Sequence, residues 1–424
     1  MLTQTQSESE TEHRPPRQDK PLWVFLRWAV ISLLVGLLAG GVGVFFHMVL
    51  EWCAETRRQL PWLLWLLPVA GLMITWLYRR YGNGDKGTNM VLSAIRSDQK
   101  MRAATAPLIF VGTALTHLCG GSSGREGAAL QLGGSLATQL GRLLRLDDKD
   151  SHIMVMCGTS AAFAALFGTP VTAAVFALEV VSVGLMYYSA IVPCTLSALV
   201  GAFLARACGI PPTGFTLSGL PAMTAPSVVR VMLLAMLGAG VSILFCRLMH
   251  NTHHLMHQRL RNPYLRTVVG GGLVILMTLL CGSGDYNGAG MEVVARAMAG
   301  NALPLAFLLK MLFTAVTLGS GYKGGEIVPV LFTGSTFGCI AAPLLGLNPS
   351  FGAGVGLVAV FCGVTNCPLS SLLLSVELFG SQGLLWFCLS VAVSYMLSGY
   401  SGLYGEQKIV YSKLRAEFID VKAG

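Results

Sequence analysis

The sequence predicts an all-α polytopic membrane protein built from many short, tilted and broken helices. Three observations carry that prediction. The chain is 54% hydrophobic and only 12% charged, with a mean hydropathy of +0.64, whereas soluble proteins are about 25% charged. Apolar runs recur from Trp23 to Tyr400, many of them interrupted by Gly or Pro and too short to cross a hydrocarbon layer of about 30 Å as one straight helix. Blocks of the first half also return in the second at nearly one offset.

Residues 1–19 are polar, with Pro15–Pro16 and the basic residues Arg14 and Arg17, and Lys20 follows. They read as a disordered cytosolic tail and place the N-terminus in the cytoplasm; no small-residue cleavage pattern follows to make a signal peptide. The first apolar run, Trp23–Leu50, carries Gly36, Gly40, Gly41 and Gly43, small residues that let helices approach closely in lipid. A second run covers Leu60–Tyr78, and a polar Gly-rich loop follows over 81–90. Ala104–Leu118 is apolar and leads into GGSSGREGAALQLGGS at 120–135, a glycine cluster opening a small-residue helix to about Leu144. Further runs cover His152–Phe167, Val171–Tyr188 and Ser189–Ala207, with Thr169–Pro170 as a restart. Residues 208–226 are a proline-punctuated connector.

Beyond the connector the chain starts again. At an offset of 200, Gly124, Glu126, Gly134 and Ser135 fall on Gly324, Glu326, Gly334 and Ser335; at 198, Pro170 and Glu179 fall on Pro368 and Glu377. Gly84–Asp85 likewise falls on Gly284–Asp285. Three blocks at nearly one spacing define a first transmembrane repeat over 20–207, a second over 227–411 and a short tail over 412–424. Identities alone leave open whether the repeats run parallel or inverted. Transporters made of repeats hold their substrate where broken helix ends converge, and two helix N-termini aimed at one point make an anion site without any Lys or Arg.

Glu126 is the leading functional candidate: an acid inside an apolar segment, at a helix start, able to occupy an anion position and to leave it on protonation. Glu326 has the same standing, although Lys323 offers a simple ion pair. Arg125 reads as a loop-tying residue. Glu179 and Glu377, at equivalent helix ends, read as structural caps or ion-pair partners, with a proton-path role for Glu179 as the alternative. Tyr404 could donate its hydroxyl to an anion. His250, His253, His254 and His257 share one helical face, but no Cys or carboxylate joins them, so no metal is expected. The eleven cysteines show neither zinc spacing nor a disulfide framework. The net charge of +9 lies in short polar gaps, as loops beside headgroups favour, which sets nucleic acid aside. No catalytic spacing of Ser, His, Cys or Asp appears, so neither an enzyme nor a cofactor is expected.

GREGAALQ at 124–131, KMLFTAVTLGSGYKGGEIVPVLFTG at 310–334 and SGLYGEQ at 401–407 together resemble the CLC family of chloride channels and anion/proton antiporters. The resemblance implies a homodimer with one pore per subunit, each subunit made of two inverted halves. It puts Glu126 in the place of the gating glutamate, which alternately fills the anion pathway and carries the proton, and Tyr404 where a tyrosine contacts the central anion. Ala128 replaces the usual proline of the first motif, Ile327 the phenylalanine of the second, and Val180 the internal proton-relay glutamate. The GYKGGE form and the serine-free loop at 84–90 are most similar to the fluoride/proton antiporter branch. That branch implies Glu326 as a second acid, Thr88, Asn89 and Met90 as the altered filter, and Gly124, Arg125, Gly127, Gly325, Ile327, Val328 and Tyr404 as anion-binding positions. Expected partners are fluoride or chloride, protons and membrane lipid, in the inner membrane. A chloride/proton antiporter or passive anion channel, and a non-transporting regulatory membrane protein, remain the alternatives.

Overall fold

A computed structural model describes residues 20–82, 87–97 and 99–423. The expected tail at 1–19 and the Gly84–Asp85 end of the filter loop lie outside the described residues. Among the described residues, seven helices are long and apolar enough to cross a membrane. The first, α1 (Pro21–Gln59), is 39 residues long, or roughly 58 Å at 1.5 Å per residue. Its glycines act as the sequence suggests. A Cβ on Gly36 would lie 2.6 Å from Val200 Cβ, and one on Gly40 2.7 Å from Gly201 Cα. Both neighbours are on α8 (Ile191–Ala207), so only glycine allows that approach.

Between α1 and α8 run α2 (Leu67–Tyr81), α3 (Thr88–Arg96), α4 (Thr105–Leu118), α5 (Glu126–Leu143), α6 (Asp148–Phe167) and α7 (Pro170–Glu179). After the connector come α9 (Ala225–Arg259), α10 (Pro263–Cys281), α11 (Met291–Met298), α12 (Ala306–Gly319), α13 (Ile327–Leu344), α14 (Pro349–Thr365), α15 (Pro368–Phe379) and α16 (Leu384–Leu397). Several are short: α4 and α12 have 14 residues each and α7 has 10, about 21 and 15 Å of helix. They end inside the protein instead of crossing it. α6 begins earlier than the apolar run suggests, because Asp147 Oδ1 accepts the Asp150 N–H at 2.7 Å and caps the helix.

Matching helices of the two halves pack alike. A Cβ on Gly133 of α5 would meet Gly158 O of α6 at 2.1 Å, and one on Gly338 of α13 would meet Gly352 O of α14 at 2.1 Å. The halves also meet head to tail. Glu179, the last residue of α7, accepts hydrogen bonds from Leu369 N (3.0 Å) and Ser370 N (2.8 Å) at the start of α15. Glu377, near the end of α15, accepts from Val171 N (3.0 Å) and Thr172 N (2.8 Å) at the start of α7. Each C-terminal end touches the other's N-terminal end, so α7 and α15 are antiparallel, and the two acids are caps, the structural reading of their repeated position.

One feature departs from a purely helical chain. The apolar stretch after Glu179 does not continue as helix. Ser182–Val183 (β1) pairs in parallel with Lys408–Tyr411 (β2), which pairs antiparallel with Phe418–Lys422 (β3). The residues at 412–423 thus fold back on the body, and Lys413 donates to Asn366 Oδ1 and, at 3.2 Å, to Ser398 Oγ.

Candidate functional site: two helix starts and a buried carboxylate

The loops before α5 and α13 meet in antiparallel register. Gly124 N donates to Gly325 O at 2.6 Å, and Gly325 N donates to Gly124 O at 2.7 Å. The glycines are a steric requirement: a Cβ on Gly325 would sit 2.5 Å from Gly127 N and 2.9 Å from Glu126 N. This bridge brings the two helix N-termini, with their unpaired N–H groups and positive dipole ends, to one point.

A carboxylate occupies that point. Glu126 is 0% exposed, and its Oε2 accepts the N–H of Arg125 at 3.0 Å and of Val328 at 3.2 Å. The acid of the first half therefore sits on the helix start of the second, where backbone donors would hold a free anion. Its other oxygen, Oε1, is buried with no hydrogen-bond partner. Arg125, 8% exposed, pairs with Glu51 of α1 at 2.8 Å, while its Nε faces Glu126 Oε1 at 3.9 Å.

Glu326 lies just before α13. Its Oε2 is buried without a partner and stands 3.1 Å from the position of a Cβ on Gly127, beside Thr88 Oγ1 at 2.9 Å. Lys323, its nearest basic neighbour in sequence, places its ammonium 4.0 Å from the Tyr78 ring centroid. The Tyr404 hydroxyl is also buried with no partner. Glu126, Glu326 and Tyr404 thus each carry a buried oxygen without a protein hydrogen-bond partner, a condition unusual for buried polar groups.

Two cavities approach this point. A wide vestibule of about 1050 Å³ is lined by Thr88, Asn89, Gln131, Glu326 and Tyr404 among others. A narrower one of about 510 Å³ is lined by Glu51, Arg57, His117 and Arg125. Arg125, whose N–H Glu126 accepts, lines the narrow vestibule, and Glu326 lines the wide one, while Glu126 itself is fully buried and lines neither.

The remaining expected residues sort themselves around this centre. Gly124, Gly127 and Gly325 form the loop bridge, Val328 supplies an N–H to Glu126, and Ile327 is buried at the first turn of α13. Asn89 Oδ1 accepts the Glu406 N–H at 3.1 Å, tying α3 to the Tyr404 loop. Met90 instead lines a small cleft with Tyr81, Thr105 and Leu108. Val180 O accepts from Gln407 Nε2 at 2.9 Å. His250, His253 and His257 line the wide vestibule, and no group of three or more metal-type side chains forms among the described residues. Two participants went unnoticed in the sequence. Gln131, which lines the wide vestibule and donates to Gly127 O at 3.2 Å, was visible as a polar residue in a small-residue helix; Glu51 gave no comparable signal.

Comparison with known proteins identifies the family. The family model described as voltage gated chloride channel matches residues 70–399. A chloride/fluoride channel protein of Pseudomonas syringae pv. tomato is 34% identical over 411 residues, 95% of this chain and 91% of the relative. An H(+)/Cl(-) exchange transporter ClcA of Vibrio parahaemolyticus is 25% identical over 89% of this chain and 88% of its own length. A solved CLC-type fluoride/proton antiporter superposes with a TM-score of 0.88 at 31% identity, covering 92% of this chain and 99% of that one. A cyanobacterial Cl-/H+ antiporter shares the fold at a TM-score of 0.77 and 19% identity, over 88% of this chain and 94% of its own. The chain therefore belongs to the voltage-gated chloride channel family, the CLC proteins.

Proposed function

We propose that the protein is a secondary transporter that moves fluoride out of the cell in exchange for protons, through Glu126. The observation that carries the reading is the Glu126 carboxylate seated on the α13 helix start between two vestibules. An anion would have to take the Val328 N–H from it, and protonation removes the charge that holds it there. One site thus serves two ions in turn, which is what obligatory exchange needs.

Fluoride is favoured by the likeness to the chloride/fluoride relative and to the fluoride/proton antiporter, together with the second acid, Glu326, whose unpartnered oxygen faces the same path. Thr88, Gly127, Gly325, Val328 and Tyr404 line or shape the anion route, and Arg125 anchors the loop. Arg14, Arg17 and Lys20 place the N-terminus in the cytoplasm; α1 then ends outside and the narrow vestibule opens outward. The protein sits in the inner membrane as a homodimer surrounded by lipid, each subunit made of repeats over 20–207 and 227–411. It needs no cofactor, and its only bond change is the reversible protonation of a carboxylate.

The test is transport in liposomes. A fluoride gradient imposed on reconstituted protein drives proton uptake, a chloride gradient drives far less, and Glu126→Gln abolishes the proton movement. Equal proton uptake with chloride would replace the substrate assignment by chloride/proton exchange. Survival of coupling in Glu126→Gln would remove Glu126 from the mechanism.

A further inference from the structure

We propose that Glu51 is a positioning residue for the gate: it holds the Arg125 guanidinium off Glu126, so that the gate carboxylate stays free to leave. The proposal rests on the reading of Glu126 as the proton-coupled gate and adds what sets the acidity at which it opens.

The geometry is specific. Arg125 Nε and Glu126 Oε1 face each other at 3.9 Å, a buried donor and a buried acceptor, each without a hydrogen-bond partner. An advance of about 1 Å would satisfy both at an ordinary hydrogen-bond distance. The guanidinium is a rigid planar fork, and its Nη1 is fixed to Glu51 Oε1 at 2.8 Å. Anchored at that corner, the fork stops short of the gate. Among the described residues, Glu51 and Glu126 are the carboxylates that pair with Arg125.

The chemical consequence follows from charge. If Arg125 closed on Glu126, a charge-assisted bond in a dry site would pin the carboxylate on the α13 helix start, and more acid would be needed to release it. With Glu51 present, the buried cation also keeps a counter-charge after Glu126 takes a proton and moves. Uncompensated buried charge is costly, so the same contact eases the step in which the gate departs.

The other charged or titratable groups around the pair are spent or set back. On α1, His47 lies one turn before Glu51 and interacts with both Glu51 and Arg125. Arg57 Nη1 donates to the His117 carbonyl at 2.7 Å, and the His117 ring lies 3.3 Å from Gly124 O. Lys310 of α12 is fully buried and donates to Gly288 O at 2.7 Å and Tyr286 O at 3.1 Å. Glu326 interacts with Glu126 from the far side of the bridge. Across the narrow vestibule, Asp285 and Glu292 pair with Arg296 and Arg58.

The experiment measures fluoride-driven proton uptake by the reconstituted full chain over a pH series. In Glu51→Gln the pH of half-maximal uptake moves about one unit towards acid, because Arg125 closes on the gate. Glu51→Asp, whose shorter reach anchors the fork less well, moves it in the same direction by less, and serves where Glu51→Gln assembles poorly. Arg125→Gln moves it the other way, and Glu51→Gln added to Arg125→Gln produces no further shift. The proposal is overturned if Glu51→Gln changes the rate without moving the midpoint, or moves it equally with Arg125 absent. A wild-type protein that shows no fluoride-driven proton uptake overturns the gate reading first, and this proposal with it; that failure is visible before any variant is made.

Discussion

Glu179 offers the sharpest test of how the fold assigns roles to its buried acids. It stands one residue before the place where a proton-relay glutamate would be expected, yet its carboxylate is used up as a cap. It accepts from Leu369 N at 3.0 Å, Ser370 N at 2.8 Å and Ser370 Oγ at 2.6 Å, and it is 6% exposed. Truncation by Glu179→Ala strands two backbone N–H groups and a hydroxyl where water has little access. Hydrogen bonds to a charged group contribute about 1.5–3 kcal/mol each. Because the three share one helix start and partial relaxation recovers some of the loss, the expected destabilisation is about 4 kcal/mol. Glu377→Ala strands only the Val171 and Thr172 N–H groups at a wetter site, for about 1–2 kcal/mol. Thermal loss of the monodisperse detergent-solubilised protein measures the order of the two. Proton uptake per anion, measured on surviving protein, stays unchanged in both. A Glu179→Ala protein that melts like wild type but no longer couples protons to anions would refute the argument and return Glu179 to the proton path.

Two further outcomes follow from particular contacts. Gly325→Ala puts a Cβ 2.5 Å from Gly127 N and 2.9 Å from Glu126 N, backbone atoms of a helix start that cannot turn aside, so the loop bridge separates and anion flux falls at least about tenfold, the equivalent of roughly 1.4 kcal/mol in a barrier. Helical circular dichroism is retained, and wild-type flux in this variant would contradict the steric account. Lys413, in the folded-back tail, is lowered by burial from 10.5 to about 8. Below pH 8 the group is charged whether the tail is docked or free; between 8 and 10.5 only the free tail keeps the proton. Docking therefore strengthens as pH rises through that window, by roughly 3 kcal/mol at most. Protease cleavage within 412–423 slows across the window in wild type, and Lys413→Met, which has no proton to lose, shows no such trend; a wild-type tail insensitive to pH would discard the burial cost.

The repeats were legible because their marks are residues with no substitute. Gly124 and Gly324 must lack a Cβ where the loops meet, since one would lie 3.1 Å from Val328 N or 2.4 Å from Ser123 Cβ, and Pro170 and Pro368 open α7 and α15, so the same letters recur at nearly one offset. The direction of the repeats was not legible, since an identity carries no orientation; the antiparallel Gly124–Gly325 bridge and the crossed caps of Glu179 and Glu377 do. Glu179 could be read as a cap but not assigned a partner, because Ser370 comes from the other half of the chain. Glu51 was invisible for a related reason. It is one acid near the end of a long apolar helix, and only the packing of α1 against the start of α5 gives it meaning. The small sheet escaped notice because Ser182–Val183 is two residues long, too short to have a period.

The same device occurs three times in this fold, and its details differ. Glu126, Glu179 and Glu377 each place a carboxylate from one half on a helix start of the other. In Glu179 and in Glu377 both oxygens accept hydrogen bonds. In Glu126 one oxygen takes the Arg125 and Val328 N–H groups while the other, facing an arginine anchored elsewhere, takes nothing. Glu126 and Glu377 each accept two backbone hydrogen bonds, but those of Glu126 converge on a single oxygen and leave the other with none. On the function proposed above, the unfilled oxygen of Glu126 marks the site whose acid gives way to an anion, while the fully satisfied acids hold the two halves together.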